Sequence, residues 1–438
     1  MVEVPGSSPV VPTIRSVFRS VYAEVMPKTG IRLPKSEVTR LKLLSCAVDE
    51  IIEVGPDRLG FTSIARRAGL STGALYARYE NVDELILEVW MAEGLPALRR
   101  LLVDLEESLS RETGVGARLR ISEQLSGSDR GVLILINLLV VSRRIEAIFE
   151  EIAPSVTEEV AKFSTRVPAI EFYLGTVLGI AIGVAGTGLH GLDWQGPIGM
   201  IASAVRRSIE PQEIPPHSAN TPEAVHFPDD AEEIDARLFD AVAHVVARVG
   251  ASQATVSRIA RRAKVNPASI YMRYEDKDAL FAACMTHVMR MGDSRNAKVL
   301  DRYREGVQSP SEITSETESI VMFRGNQSPE HSSIRRLRLE TMFAAMHDEN
   351  LRRMNQEIYF STISRNEEHL GVPQTTLTNR SVLPFTIFSR FAFFGYAVLA
   401  EYGLCDMNHR YLLSYVSQIS SNLRKLASGS DLDQSHKK

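Results

Sequence analysis

The sequence predicts an all-α fold built from two tandem copies of one helical unit. Apolar residues recur at helical spacing along most of the chain, no stretch shows strand-like alternation or a hairpin signal, and one block of residues occurs twice. With 438 residues, 44% hydrophobic and 24% charged, the chain can bury the cores of about two to three domains.

Charge and cysteine content narrow the class of protein. The formal net charge of −4 does not indicate a nucleic-acid binder, so any such function must rest on local basic charge. Cys46, Cys284 and Cys405 lie far apart and form neither a disulfide framework nor a CxxC metal motif, which fits a reducing cytosol. The N-terminus shows no secretory signal pattern, and no spacing of His and carboxylates indicates a metal, a cofactor or a catalytic pair.

The repeated block is the strongest feature of the sequence. "STGALYARYENVDEL" from Ser71 to Leu85 returns 195 residues later as "NPASIYMRYEDKDAL" from Asn266 to Leu280. The register extends upstream to Ile64 and Ile259 without a gap. This indicates an internal duplication.

Each copy begins with an amphipathic helix that stops at a glycine. "RLKLLSCAVDEIIEVG" ends at Gly55, and "ARLFDAVAHVVARVG" ends at the matching Gly250. The helices predicted to follow the repeated blocks are Gly131–Ile152, Val167–Leu189 and Pro197–Ile209 in the first half, and Ser333–Asn355, Val382–Tyr402 and His409–Leu426 in the second.

Within each copy, two short helices flank a tight turn. In the second copy Thr255 caps the first helix, Asn266 caps the next, and Pro267 suits the first position of a helix over Pro267–Tyr274. The first copy predicts the same over Thr72–Tyr79, after a turn at Gly69–Leu70. A helix, a turn and a short helix with small and polar exposed residues form the helix-turn-helix plan, whose second helix enters the major groove of DNA.

Both blocks resemble the DNA-binding domain of the TetR family of bacterial transcriptional regulators over about fifty residues each. The matching residues are Ile64–Ala65, Ala68–Gly69–Leu70, Ser71, Tyr76 and Leu85, and Ile259–Ala260, Ala263, Val265, Tyr271, Lys277 and Leu280. The resemblance implies that the remaining helices form ligand-binding and dimerisation domains. Family members use two subunits to present two recognition helices, whereas this chain is similar to two members fused in tandem.

The resemblance and the exposed faces together predict the residues that contact DNA. They are Thr62, Thr72, Gly73, Ala74, Tyr76 and Arg78 in the first copy, and Ser257, Pro267, Ala268, Ser269, Tyr271, Met272, Arg273 and Lys277 in the second. Basic residues concentrate here, more strongly in the second copy. For Arg66, Arg67, Arg261 and Arg262, a solvated helix face is an equally good interpretation.

The two copies differ where the family usually has phosphate contacts and caps. Lys277 has Val82 as its counterpart, and the capping Thr255 has Gly60. The first copy is therefore expected to bind phosphate more weakly, and a purely structural role for one copy stays open.

The predicted organisation alternates reader and regulatory domains. It comprises an N-terminal extension (1–37), a helix-turn-helix domain (38–90), a helical regulatory domain (91–210), a Pro-rich linker (211–230), a second helix-turn-helix domain (231–284), a second helical regulatory domain (285–427) and a disordered tail (428–438).

Two apolar helices, one in each regulatory half, are predicted to pack against each other. Gly175, Gly179 and Gly183 form a stripe in an uncharged run long enough to span a membrane, but a core helix is the favoured interpretation. Its counterpart, "PFTIFSRFAFFGYAVLAEYG", is crowded with phenylalanines. We expect the two helices to pack together, with aromatic bulk filling the space that the glycines leave.

Two polar residues in apolar helices are candidates for a ligand pocket. Asn137 and Arg390 could line one, although a hydrogen-bonded core residue is the commoner explanation for each. "GTGLHG" from Gly186 to Gly191 matches GxGxxG by letter, but it lacks the preceding strand that a phosphate cradle needs.

These observations predict a cytoplasmic, nucleoid-associated transcriptional regulator that is not an enzyme. We expect a repressor that binds double-stranded operator DNA as an intrachain pseudo-dimer on an asymmetric site. We also expect it to respond to an apolar small-molecule inducer and not to associate with a membrane. Homodimerisation stays open. The alternatives are a ligand-binding or scaffold protein with vestigial helix-turn-helix copies, and an enzyme on a helical bundle, which nothing beyond size supports.

Overall fold

The computed structural model describes residues 34–211, 233–306, 332–370, 383–406 and 409–427. Within these ranges the regular secondary structure is helical and contains no strand, which confirms the all-α prediction. Nearly all of the predicted N-terminal extension and linker, and the whole tail at 428–438, lie outside the described residues.

Ten α-helices of the first half are described, together with a short 3₁₀ helix at Pro56–Arg58 and a π-helical turn at Trp90–Gly94. The α-helices are α1 Lys35–Val54, α2 Phe61–Ala68, α3 Gly73–Tyr76, α4 Val82–Val89, α5 Leu95–Ser108, α6 Gly114–Gln124, α7 Arg130–Ser142, α8 Glu146–Ser164, α9 Ile170–Thr187 and α10 Gln195–Arg207. The described helices of the second half are α11 Glu233–Val249, α12 Val256–Ala263, α13 Pro267–Tyr271, α14 Lys277–Gly306, α15 Ser332–Ala344, α16 Glu349–Leu370, α17 Leu383–Glu401 and α18 Leu412–Ala427.

The glycine stops occur where the sequence predicts them. Gly55 ends α1 with φ 86°, and Gly250 follows α11 with φ 78°, in a region of backbone space that favours glycine. The N–H of Gly55 donates to the carbonyl of Ile51 at 3.1 Å, and the N–H of Gly250 donates to that of Val246 at 2.8 Å. The same glycine therefore turns the chain into the helix-turn-helix unit in both copies.

Two of the predicted long helices are wrong because each contains a break. The predicted Gly131–Ile152 helix is α7 followed by α8: the Ser142 hydroxyl bonds back to the carbonyl of Leu139, and Ile145 is extended with φ −128° and ψ 100°. The predicted Ser333–Asn355 helix is α15 followed by α16. Asp348 Oδ1 accepts from the N–H groups of Asn350 and Leu351 and so starts a new helix there.

Helices α9 and α17 form the closest contact between the two halves. A Cβ added to Gly179 would lie 2.3 Å from the carbonyl oxygen of Phe391, and one added to Gly395 would lie 1.8 Å from that of Gly175. The ring of Phe391 fills the space beside Gly183. The expected packing of the glycine stripe on the phenylalanine-rich helix is therefore present, and it brings the two backbones together.

Helix α9 is long and apolar enough to cross a membrane by length and composition, yet all its residues are buried in the protein. Helix α10 packs on α18, where Asn422 Nδ2 donates to the carbonyl of Met200 at 3.2 Å. A single hydrophobic cluster runs through both halves. The regulatory helices of the two halves thus share one core.

Candidate nucleic-acid interface

The first helix-turn-helix unit, called reader 1 here, spans Phe61–Val82 and contains α2 and α3. Helix α2 buries Phe61, Ile64, Ala65 and Ala68 and ends at Gly69, whose φ of 61° is left-handed. Helix α3 is shorter than the predicted Thr72–Tyr79 helix and buries only Leu75, so most of its surface stays available.

The second unit, called reader 2, spans Val256–Lys277 and contains α12 and α13. Both predicted caps form: Thr255 Oγ1 accepts from the N–H of Arg258 at 3.3 Å, and Asn266 Oδ1 accepts from that of Ala268 at 2.9 Å. Reader 1 has no side-chain cap at Gly60. Replacing a capping side chain by Ala costs about 0.5–2 kcal/mol of helix stability, whereas replacing it by Gly costs only a few tenths. Because Gly60 stands at the uncapped position, the first helix of reader 2 is only slightly more stable than that of reader 1 on this count.

Two tyrosines and a methionine dominate the exposed surface of the readers. Tyr76 is 66% exposed, Tyr271 58% and Met272 85%. Tyr76 stands edge-on to Phe61 with ring centroids 5.0 Å apart, which orients its ring. Exposed polar and small residues surround them, namely Thr62, Gly73, Ser257, Pro267 and Ala268, with Thr72, Ala74 and Ser269 half-buried.

The predicted arginine contacts are attached to the helix that precedes each reader. Arg78 donates to the carbonyls of Ser36 at 3.0 Å and Ala74 at 3.1 Å, whereas Arg273 lies 3.4 Å from the carboxylate of Asp235. Lys277 Nζ is 3.5 Å from the carbonyl of Ala251, at the limit of a hydrogen bond. Among these contacts, the one from Lys277 is the longest.

Arg67 belongs to an ion-pair network rather than to a free basic face. Its guanidinium binds Glu50 at 3.1 Å and also Glu53, one turn apart on α1. The signal in the sequence for this network is the pair of glutamates at i and i+3 on α1. Arg66, Arg261 and Arg262 are exposed, as a phosphate-facing or a solvated surface requires.

Asn137 is buried and hydrogen-bonded across the two halves. Its Nδ2 donates to the carbonyl of Leu133 at 2.8 Å, and its Oδ1 accepts from His347 Nε2 at 3.0 Å. Burial lowers the pKa of His347 to about 4, since it disfavours the charged imidazolium. No sequence pattern indicated His347, because the pair is 210 residues apart.

A cavity of about 330 Å³ opens on the regulatory helices of the first half. Its lining residues are Arg100, Asp104, Arg120, Glu123, Gln124, Ser128 and Asp129. The walls are polar, and neither Asn137 nor the half-buried Arg390 of α17 lines it. Among the described residues, no cluster of three His, Cys, Asp or Glu side chains could hold a metal ion.

Comparison with known proteins supports the interpretation of both readers. The sequence model of the bacterial regulatory proteins of the tetR family matches residues 43–89 and 238–284. The matches begin within α1 and α11 and run past each reader into α4 and α14. No curated protein matches the chain. The chain therefore carries two tandem copies of the DNA-binding domain of bacterial tetR-family regulators and is a DNA-binding transcriptional regulator.

Proposed function

We propose that this protein is a ligand-responsive repressor in which one chain presents both readers to one operator. The observation that carries the proposal is the joining of two readers, each with an exposed tyrosine, to regulatory helices that share one core. A homodimer supplies two readers through a symmetric interface, and α9, α10, α17 and α18 supply the equivalent contact within this chain.

The operator in this proposal is asymmetric. At the positions that face the groove, reader 1 carries Thr72, Gly73, Ala74 and Ala77, whereas reader 2 carries Pro267, Ala268, Ser269 and Met272. Different side chains meet different base edges, so the two half-sites differ in sequence. Lys277 and the two capped helices make reader 2 the stronger reader.

Regulation would follow from a population shift. A small molecule that favours one arrangement of the regulatory helices changes the separation of the readers, which then no longer fit successive major grooves. Asn137 and Arg390 stay candidates for the predicted apolar site, although the hydrogen bond from His347 favours a packing role for Asn137. We infer no enzymatic activity, and we place the protein in the cytoplasm at the nucleoid.

Selection of bound sequences from a random DNA pool tests this function. We expect a two-part site with unlike half-sites, and Tyr271→Ala should weaken binding more than Tyr76→Ala. A clean palindrome with equal losses for the two tyrosines would contradict the proposal. Failure to enrich any sequence would favour the alternative of a ligand-binding or scaffold protein with vestigial readers.

A further inference from the structure

Matching loops of the two DNA-binding domains lie against each other. Loop 1 (Gly55–Leu59) follows α1, and loop 2 (Gly250–Ala254) occupies the same place after α11. Gln253 Nε2 is 3.4 Å from the carbonyl oxygen of Asp57. The contact joins the domains directly and does not pass through the regulatory core.

Arg144, between α7 and α8, lies at the junction of these loops. Its Nη1 is 2.8 Å from the Asp57 carboxylate and donates to the carbonyl of Val249, at the end of α11, at 3.1 Å. The side chain is only 6% exposed. One guanidinium from the regulatory half thus binds the first DNA-binding domain through Asp57 and the second through Val249.

A carboxylate from the second regulatory half also contacts this guanidinium. Glu340 on α15 is fully buried, with Oε1 3.5 Å from Arg144 Nε and 2.9 Å from Arg336 Nη2. The cluster therefore joins Arg144 and Arg336 to Asp57 of the first half and Glu340 of the second, and Arg336 also pairs with Glu401. The position of Arg144 has few alternatives, because this buried guanidinium loses its contacts with Asp57 and Glu340 if the two halves move apart.

Loop 2 is shaped to admit Arg144. A Cβ at Gly250 would lie 2.1 Å from Arg144 Nη1, so the guanidinium occupies the space that only glycine leaves free. Gly55, the matching residue of loop 1, lies against His347 in a similar way but less closely, with 2.9 Å between the added Cβ and Cδ2. Each loop glycine thus receives a side chain from the regulatory part of the other half of the chain.

We propose that Arg144 is a positioning residue that clamps loop 1 to loop 2 and so sets the separation of the two readers. The inference rests on the proposed function for its consequence: the clamp selects operators by the number of base pairs between half-sites. Reader contacts determine which bases are bound, and Arg144 determines how far apart they lie.

Spin labels on the readers test the clamp without DNA. Ala77→Cys and Met272→Cys place labels at matching exposed positions, and Cys46, Cys284 and Cys405 are buried, which directs the label to the new thiols. Pulsed electron double resonance on the full chain should give a narrow distance distribution. Asp57→Asn, which leaves Arg144 paired with Glu340, and Arg144→Lys, which keeps the charge, should both broaden it.

The matched control removes an ion pair remote from the loops. Glu106→Gln breaks the 2.6 Å contact with Arg166 that joins α5 to the end of α8, and it should leave the distribution narrow. Unchanged widths in Asp57→Asn and Arg144→Lys, in chains that unfold at the wild-type temperature, would overturn the clamp.

Operator spacing provides the second readout. The reference is the DNA site that the wild-type protein selects. Duplexes that gain or lose one or two base pairs between the half-sites of this DNA should bind the wild-type protein much more weakly. In Asp57→Asn this spacing preference should fall about tenfold, within the range typical of coupling between sites, while the preferred bases stay the same. An unchanged spacing preference overturns the inference and leaves the proposed function intact, whereas a wild type that selects no sequence overturns both.

Discussion

At the scale of single residues, the two copies of the reader have diverged in how they hold the same side chains. Tyr79 bonds to Glu88 on α4, while its counterpart Tyr274 bonds to Asp235 on α11 at 3.1 Å. Arg40 occupies the place of Asp235 in the first copy. The charge that orients this tyrosine therefore comes from a different helix in each half, and the readers are related but not equivalent.

Lys277 provides a test of this inequality. Lys277→Ala should weaken binding similarly on all DNA sequences and reduce the slope of log K against log salt by about one, because one phosphate contact is lost. Val82→Lys, which restores the lysine in reader 1, should increase the slope by about one. Titrations over a salt series measure both.

The control for these titrations is Lys162→Ala, which removes an ammonium paired with Glu158 and Glu159 on α8. We expect no change in slope. Equal slopes for the wild type and Lys277→Ala would show that Lys277 does not contact phosphate.

His347 provides a test of stability against pH. Its folded pKa of about 4 is below the ordinary value, so the unfolded chain binds the additional proton between about pH 6.5 and 4. The wild type should therefore lose stability as the pH falls through this window, by a contribution on the order of 3 kcal/mol. His347→Gln, which keeps an amide donor toward Asn137, should lack this contribution.

Urea unfolding at several pH values measures the difference between the two proteins. Burial raises the pKa of Glu340, which acts in the opposite direction, but Glu340 is present in both proteins and its contribution cancels. Parallel pH profiles for wild type and variant would contradict the neutral, buried His347.

The caps and exposed faces of the readers could be predicted from local sequence. The partners of the charged residues could not. Thr255, Asn266 and Pro267 act within one turn of their own position, so their roles follow from propensity. Arg67 pairs with residues of α1, and Asn137 bonds with His347 between α15 and α16, so packing decides these partners.

At the scale of helices, the approach of α9 to α17 depends on the absence of side chains. The added Cβ at Gly179 would meet backbone atoms of Phe391 and Ala392 at 2.3 and 2.7 Å, and backbone cannot rotate away as a side chain can. The sequence predicted this pairing because a glycine stripe and a run of phenylalanines are complementary in size.

Gly179→Ala should destabilise the protein by about 1–3 kcal/mol, and Gly179→Leu by more, because the two helices must separate. Gly199→Ala is the matched control on α10, where the added Cβ would lie 3.7 Å from Arg118 Cδ, an ordinary contact. It should be neutral or stabilising by about 0.5–1 kcal/mol, as alanine favours helix. Thermal unfolding of the three variants decides, and an unchanged melting temperature for Gly179→Leu would contradict the packing.

The helix breaks were less predictable than the helix pairings. Apolar periodicity continues through Ser142–Ile145, so a single helix was expected there. Tertiary contacts end α7 instead: Ser142 bonds with the Tyr402 hydroxyl at 2.6 Å, and Arg144 turns inward to Asp57. The break before α16 did have a local signal, the capping Asp348.

At the scale of the whole molecule, the described parts of the two halves touch at several places. The DNA-binding domains meet at loops 1 and 2, α9 packs on α17, and α10 packs on α18. Duplication could be predicted from the repeated block, because the register of identical residues is visible in the sequence. The contact of the loops could not, since it depends on how the two halves dock.

The central claim is that one chain, with its two unequal readers, occupies one operator. Light scattering of the purified complex with the shortest selected duplex measures this most directly. We expect a mass of one 48.6 kDa chain plus one duplex, unchanged when the protein is diluted or supplied in excess. A complex that contains two or more chains on the minimal operator would contradict it and show that the readers pair between chains.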